Sequence, residues 1–227
     1  MRAMLPLFAL ALSAQAPPAE KQVVVTSFDR VRVSGPFTVE IAAGSPRAQV
    51  TGDATALASV RVSVEGSTLV IVPARDGERP APAGTGLRIR VQGSGIRSAS
   101  LIGAGALRIE RLAGTRVELT LTGSGAIDAG AADADQLVAN VIGSGTLTLR
   151  GGRVRAARFL VNGAGGIDAA ALATDTLFVR QQGAATGRYA ARYEADVAGS
   201  GAGTIDVAGS PRCRTAGTSA IRCQGVR

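Results

Sequence analysis

Several residue types that commonly build catalytic centres are scarce in this chain. Histidine and tryptophan are absent, aromatic residues make up 3% of the 227 residues, and only two residues are cysteines. A serine nucleophile needs an activating base, and zinc sites are mostly built from histidine and cysteine. No dinucleotide-binding, P-loop or G-x-S-x-G motif is present either. The sequence therefore predicts no cofactor, no metal site and no catalytic site.

Long hydrophobic runs are missing as well. Residues 4–12 form a short apolar run, preceded by Arg2 and followed by Ala14-Gln15-Ala16. This pattern indicates a secretory signal peptide, and the run is far shorter than the roughly 20 residues that span a bilayer. We predict a signal peptide at residues 1–16, cleavage between residues 16 and 22 because Pro17 is awkward at the cut, and a disordered segment at 17–22. The protein is expected to be exported and to have no transmembrane span.

The two cysteines permit a single intramolecular bridge, between Cys213 and Cys223. In the oxidising compartment that export implies, a disulfide closing this C-terminal segment is the favoured interpretation. The alternative is a reactive thiol, but no histidine is present to lower its pKa.

Glycine, by contrast, is abundant, and it recurs at a fixed interval. The first glycine of a Gly-x-Gly tripeptide recurs every twenty residues, and each tripeptide is flanked by alternating apolar residues. Alternation predicts half-buried strands, and glycine is suited to the corners between them because it adopts positive φ freely. The small middle residue of each tripeptide is expected to stack on its equivalent in the next coil. The predicted corners are Gly103, Gly123, Gly143, Gly163, Gly183, then Gly199 (or Gly201, since GSGAG allows either register) and Gly217.

Short strands at this period predict an all-β fold, a parallel β-solenoid with coils of about 20 residues. The N-terminal third also alternates, from Val23 to Ile41, and is expected to form a strand or hairpin cap over one end. Residues 74–86 are rich in proline and glycine and indicate a surface loop. We predict one continuous domain over residues 23–225.

Charged residues offer two candidate sites. Asp128, Asp168 and Asp206 recur at one outward position, but about two coils separate neighbouring carboxylates, so solvated edge residues are favoured over a glycosidase pair or a calcium ladder. The basic excess of +8 is densest at Arg150, Arg153, Arg155 and Arg158. This group is a candidate anion-binding patch for envelope phosphates or acidic glycans, or simply a solubilising surface. Few aromatic residues accompany it, so no nucleic-acid partner is expected.

The order of these features resembles the head GIN domain family of putative auto-transporter adhesins. The resemblance rests on "FDRVRVSGPFTVEIAAG", "VTGD", "VSVEGSTLVIVP" and the serial GSG or GAG corners, and it covers nearly the whole predicted domain. Family members often carry aspartate directly after Gly-Ser-Gly, whereas this chain has Ala126, Thr146 and Gly166. The resemblance implies a right-handed solenoid on an exported envelope protein and supplies no catalytic residues.

The leading functional hypothesis is an exported, non-enzymatic envelope protein of a Gram-negative bacterium, in the periplasm or at the cell surface, acting as an adhesin or binding module. Its partner would be an envelope glycan, a glycolipid or a protein. The alternatives are a periplasmic structural or assembly protein that binds other proteins and, third, a polysaccharide-acting β-helix enzyme. The oligomeric state stays open.

Overall fold

The fold was obtained as a computed structural model that describes residues 19–74 and 87–224. The predicted signal peptide and nearly all of the predicted surface loop lie outside these residues. The described strands form one hydrogen-bonded network that coils into a β-solenoid of about six turns. The prediction of a β-solenoid with coils of about 20 residues is therefore confirmed. No helix of the described residues is long and apolar enough to cross a membrane.

The N-terminal strands both begin and cap the solenoid. They are β1 (Ala19–Val23), β2 (Arg30–Ser34), β3 (Thr38–Ala43), β4 (Arg47–Gly52), β5 (Val60–Glu65), β6 (Thr68–Pro73) and β7 (Arg88–Gly93). β2 and β3 pair in parallel with later strands, whereas β1, β4 and β5 add in antiparallel fashion at the end. This cap covers strand edges that would otherwise expose unpaired backbone groups. Residues 19–22, predicted to be disordered, instead belong to β1, which pairs with β4.

A single short helix, α1 (Ala54–Ala58), lies within the cap, where the sequence analysis gave only strands. The carboxylate of Asp53 accepts a hydrogen bond of 2.7 Å from the backbone N–H of Ala56 and so caps the helix. The cap residue and the alanine-rich run after it are a local helix signal that the alternating pattern on either side obscures.

The regular coils have three sides. In the first of them, residues 106–109 form side A, residues 111–114 side B and residues 116–123 side C, with breaks in strand pairing at 110 and 115. The strands are β8 (Ser98–Gly103), β9 (Ala106–Gly123), β10 (Ala126–Gly143), β11 (Thr146–Leu149), β12 (Gly152–Gly163), β13 (Gly166–Ala169) and β14 (Ala173–Gly183). Equivalent residues of successive coils lie in parallel register twenty positions apart, so the buried side chains form continuous ladders. One such ladder is Leu119, Ala139, Phe159 and Val179, and Val197 continues it after eighteen positions.

Each corner between sides C and A is held by backbone hydrogen bonds between coils. Gly143 has φ of +115°, and its carbonyl accepts bonds of 3.0 Å from both Ala164 and Gly165. The glycines at 103, 123, 163, 183 and 217 also have positive φ. The middle residues of the tripeptides, such as Ser144, are exposed, whereas the second glycine, such as Gly145, is buried against the preceding coil.

The last coils depart from the twenty-residue period. Of the two registers that GSGAG allows, the corner after Gly183 is Gly201, with φ of +108°, and not Gly199, because Gly199 pairs with Gln181 inside a strand. β15 (Thr186–Ala191) therefore passes almost directly into β16 (Glu194–Ser200), and side B is missing. β17 (Thr204–Gly209), β18 (Arg212–Gly217) and β19 (Ala220–Cys223) complete the solenoid, and the predicted disulfide joins Cys213 in β18 to Cys223 in β19.

Candidate binding face

The four arginines predicted as an anion-binding patch lie on different parts of the coil. Arg150 makes a two-pronged ion pair of 2.7 and 2.6 Å with Asp128 at the end of side A. Arg155 pairs with Asp135 at 2.9 Å, while Arg158 lies on side C. The guanidinium of Arg150 lowers the pKa of the Asp128 carboxyl below its usual value through this hydrogen bond, and Asp128 raises the pKa of Arg150. Two of the four charges are thus directed at carboxylates rather than at solvent anions.

The recurring aspartates lie in one outward column of side A. Thr148 separates Asp128 from Asp168, and Arg188 separates Asp168 from Asp206, as the strand register requires. Asp168 lies 3.7 Å from Arg188. Among the residues that the structure describes, no three histidine, cysteine or acidic side chains are grouped as metal ligands.

Side C carries an aromatic ring held between cationic groups. Phe178 of β14 points outwards, and the guanidinium carbons of Arg158 and Arg180 lie 4.1 and 4.0 Å from its ring centre. Both distances are within the range of a cation–π interaction. Arg180 also donates a bond of 2.9 Å to Asp196, whereas Arg158 has no ion pair within the described part of the chain. The two arginines therefore hold the ring of Phe178 in place, and Arg158 leaves a net positive charge beside the ring.

Apolar side chains extend this cluster across side C. Ile142 and Ile102 are 51% and 46% exposed, in one column two coils apart. Shallow depressions of about 420 and 360 Å³ occur on this side; Phe178 and Arg158 line the first, and Ile142, Leu160 and Arg180 line the second. We call this surface face C and define it by the outward residues Ile102, Val138, Ile142, Arg158, Leu160, Phe178 and Arg180.

The sequence analysis did not identify face C, although a local signal exists. Within an alternating strand every second residue should be polar, yet Leu177-Phe178-Val179, Phe159-Leu160-Val161 and Val141-Ile142 break the alternation. The extra apolar residue in each run has to point outwards because its neighbours are buried. Interrupted alternation on side C of three successive coils, at three neighbouring outward positions, was therefore the available indicator.

Comparison with known protein families identifies the chain. The family model for the "putative auto-transporter adhesin, head GIN domain" matches residues 27–211. The chain belongs to this family. A search of curated proteins found no match. The family resemblance noted in the sequence is thereby confirmed.

Solved structures share the fold at low sequence identity. A putative adhesin from Bacteroides fragilis superposes with a TM-score of 0.82 at 20% identity, covering 92% of this chain and 98% of that one. A putative lipid binding protein from Parabacteroides distasonis has a TM-score of 0.64 at 22% identity, with coverage of 92% and 95%. A putative adhesin from Parabacteroides merdae has a TM-score of 0.67 at 16% identity, with coverage of 92% and 96%. At these identities the likeness establishes the fold alone.

Proposed function

We propose that this head GIN protein is an exported, non-enzymatic binding module of the bacterial envelope, and that face C binds an anionic amphiphile of the glycolipid type. The observation that carries the proposal is the arginine-flanked ring of Phe178 on the same side of the solenoid as the exposed side chain of Ile142, with Arg180 contacting the ring and also lining the depression at Ile142. Exposed apolar residues grouped on one surface mark interaction sites more often than isolated ones do. A ligand for this surface needs apolar and anionic parts together.

The chemistry of face C matches both parts of such a ligand. Guanidinium groups bind phosphate with two parallel hydrogen bonds, and Arg158 is free of a carboxylate among the described residues. Burial of an acyl chain contributes about 0.8 kcal/mol of binding free energy per methylene group. The apolar depression at Ile142 and Leu160 can bury part of such a chain. The family description as an adhesin and the lipid-binding description of the Parabacteroides distasonis neighbour are compatible with this proposal.

A protein partner is the second candidate, and the far end of the solenoid favours it. Among the strands that the structure describes, β18 pairs only with β16, and β19 only with β17, which leaves one edge of each without a described neighbour, and most of their side chains are exposed. Free strand edges can add a strand from a partner. This would correspond to a structural or assembly role in the periplasm.

Vesicle binding tests the proposal directly. Processed protein purified from the envelope of an expressing bacterium is sedimented with phosphatidylcholine vesicles that contain or lack lipid A, at low and high salt. We expect binding only with lipid A, weakened by salt, and reduced at least fivefold by Arg158→Gln and by Ile142→Ser. Arg188→Gln on side A and Val24→Ser, which removes an exposed valine outside face C, are the matched controls.

Two outcomes would contradict the proposal. Equal binding by the face C variants and the wild type would remove face C from the interaction. Absence of vesicle binding, together with a protein crosslinked to β18 or β19 in intact cells, would favour the assembly role instead.

A further inference from the structure

The shortening of the last coils opens a notch on the side of the solenoid. In coil four (residues 166–183), the six residues 170–175 connect side A to side C, whereas in the next coil the four residues 190–193 make this connection. Arg192 and Tyr193 cover only Thr174 and Asp175, so within the described chain the upper edge of residues 170–173 is left without a covering strand. A depression of about 380 Å³ occupies this place.

Four successive coils each contribute one outward polar side chain to this notch, and Thr174 of coil four, which also lines it, is buried. Its floor consists of small residues, including Ala173, Ala190 and Gly209. We define the coil-step notch by its polar residues, which are Arg153, Asp175, Arg192 and Ser210. Three steps of about 4.8 Å separate the first coil from the last, so the notch is about 14 Å long along the solenoid axis.

The notch carries unsatisfied charge. Neither Arg153 nor Arg192 forms an ion pair in the described part of the chain, in contrast to the neighbouring Arg150 and Arg155. Asp175 is the one carboxylate of the lining, which leaves the notch with a net charge of +1. An anionic ligand would therefore meet two guanidinium groups free to form charge-assisted hydrogen bonds.

An exposed aromatic ring lies directly beside the notch. Tyr193 is 53% exposed and has the guanidinium of Arg192 at 5.2 Å from its ring centre, whereas Tyr189, four residues earlier, is buried in the core. The backbone of this connection is fixed, because Arg192 and Tyr193 donate to the carbonyls of Thr174 and Asp175 at 2.9 and 3.0 Å. The ring and the guanidinium are thus presented by a pre-organised segment, which lowers the entropy cost of binding.

We propose that the coil-step notch is a binding site for an acidic saccharide, separate from face C. Arg153 and Arg192 bind a sugar carboxylate, Asp175 and Ser210 bind hydroxyl groups, and the ring of Tyr193 packs against an apolar sugar face. A sugar acid is favoured over a lipid because polar side chains alternate with small ones along the notch and no large apolar side chain lines it. The length of the notch suits a short oligosaccharide rather than a single sugar.

Calorimetric titration with trigalacturonic acid and with its carboxyl-reduced neutral counterpart tests the site on the same processed protein. We expect saturable binding of the acid that weakens with salt, and at least tenfold weaker binding of the neutral sugar. Arg153→Gln, Arg192→Gln and Tyr193→Ala should each weaken acid binding about tenfold, and Tyr193→Phe should restore it, because the ring and not its hydroxyl contacts the sugar.

Matched controls separate the notch from general charge and from face C. Arg155→Gln removes the same charge two residues from Arg153 but outside the notch, so it should leave acid binding unchanged, as should Phe178→Ala. Thermal melts establish that each variant is folded. Absence of binding by the wild type, equal affinity for the neutral sugar, or equal weakening by Arg155→Gln would overturn the proposal.

Discussion

The coils from Gly103 to Gly183 and the coils after Gly183 follow different rules of packing. In the regular coils the interior consists of aliphatic ladders and of phenylalanine, with a glycine at each inner corner position. Gln181 is buried at the boundary and Tyr189 in the later coils, where Ala185 takes the place of the inner glycine at the first corner and side B is absent. The loss of two residues from the period thus coincides with a change in the chemistry of the core.

This difference determines which surfaces of the solenoid can vary without changing the packing of the core. A constant period fixes every side chain relative to its equivalents, so the regular coils can vary only in their outward residues, which is where face C lies. A shortened coil creates a step, and the coil-step notch forms there without disturbing the ladders. The regular region therefore offers a repeating side with shallow depressions, and the irregular region a step between coils of different length.

The largest expected loss of stability follows substitution of the second, buried glycine of a corner tripeptide, which we call the inner glycine. A Cβ atom at Gly145 would lie 2.5 Å from the carbonyl oxygen of Gly125 and 2.8 Å from Leu121. Gly145→Ala should therefore lower the free energy of unfolding by about 3 kcal/mol, the upper part of the range for overpacking. Ala185→Gly, at the equivalent position of a later corner, should cost about 1 kcal/mol or less, because it removes only one methyl group and makes the unfolded chain more flexible. Urea titrations of both variants measure the contrast, and similar losses would mean that the two regions pack alike.

The disulfide concerns only the irregular end. It closes a separation of ten residues, so the variant Cys213→Ser with Cys223→Ser should lose about 2–3 kcal/mol by the chain-entropy model. Because the side chains of β18 and β19 are mostly exposed, we expect the lost stability to appear as local unfolding of the last coil and not as global unfolding. Hydrogen exchange should show lost protection in β18 and β19 and unchanged protection in β9 to β12. Loss of protection throughout would show that the end holds the regular coils together.

The sequence predicts the regular region better than the irregular one. Glycine spacing and alternation are local signals that repeat, so the coils, their corners and the buried ladders follow from Gly103 to Gly183. The corner at Gly201 could not be assigned because GSGAG satisfies either register, and only pairing with Gly183 decides between them. Face C and the coil-step notch form where outward residues of different coils lie together. Predicting either surface therefore requires the strand register between those coils.

The core of the later coils contains a buried hydroxyl group whose removal should raise, rather than lower, the free energy of unfolding. The hydroxyl of Tyr189 has no hydrogen-bond partner among the described residues, and burial raises its pKa above the usual 10.0. Tyr189→Phe should stabilise the protein by about 1 kcal/mol, because an unpaired buried polar group is removed and the contact with Phe159 is kept. Because the folded pKa is raised, the stability that this neutral tyrosine contributes is complete below pH 10.0 and is lost at higher pH. Thermal melts at pH 8 and 11 should show a smaller alkaline loss for the variant, and a destabilised variant would imply a partner for the hydroxyl.

The smallest expected effect lies on the surface of the regular coils. The ion pair between Asp128 and Arg150 is largely solvent-exposed on the arginine side, so Asp128→Asn should cost only about 0.5 kcal/mol at neutral pH. Since the pKa of Asp128 is lowered on folding, this contribution is complete above the unfolded value of 3.8 and disappears as the pH falls through the lower folded value. Urea titrations at pH 7 and pH 2.5 should give a difference from the wild type only at pH 7. A loss comparable to that of Gly145→Ala would mean that ion pairs between coils, and not the glycine-lined interior, set the stability of the regular region.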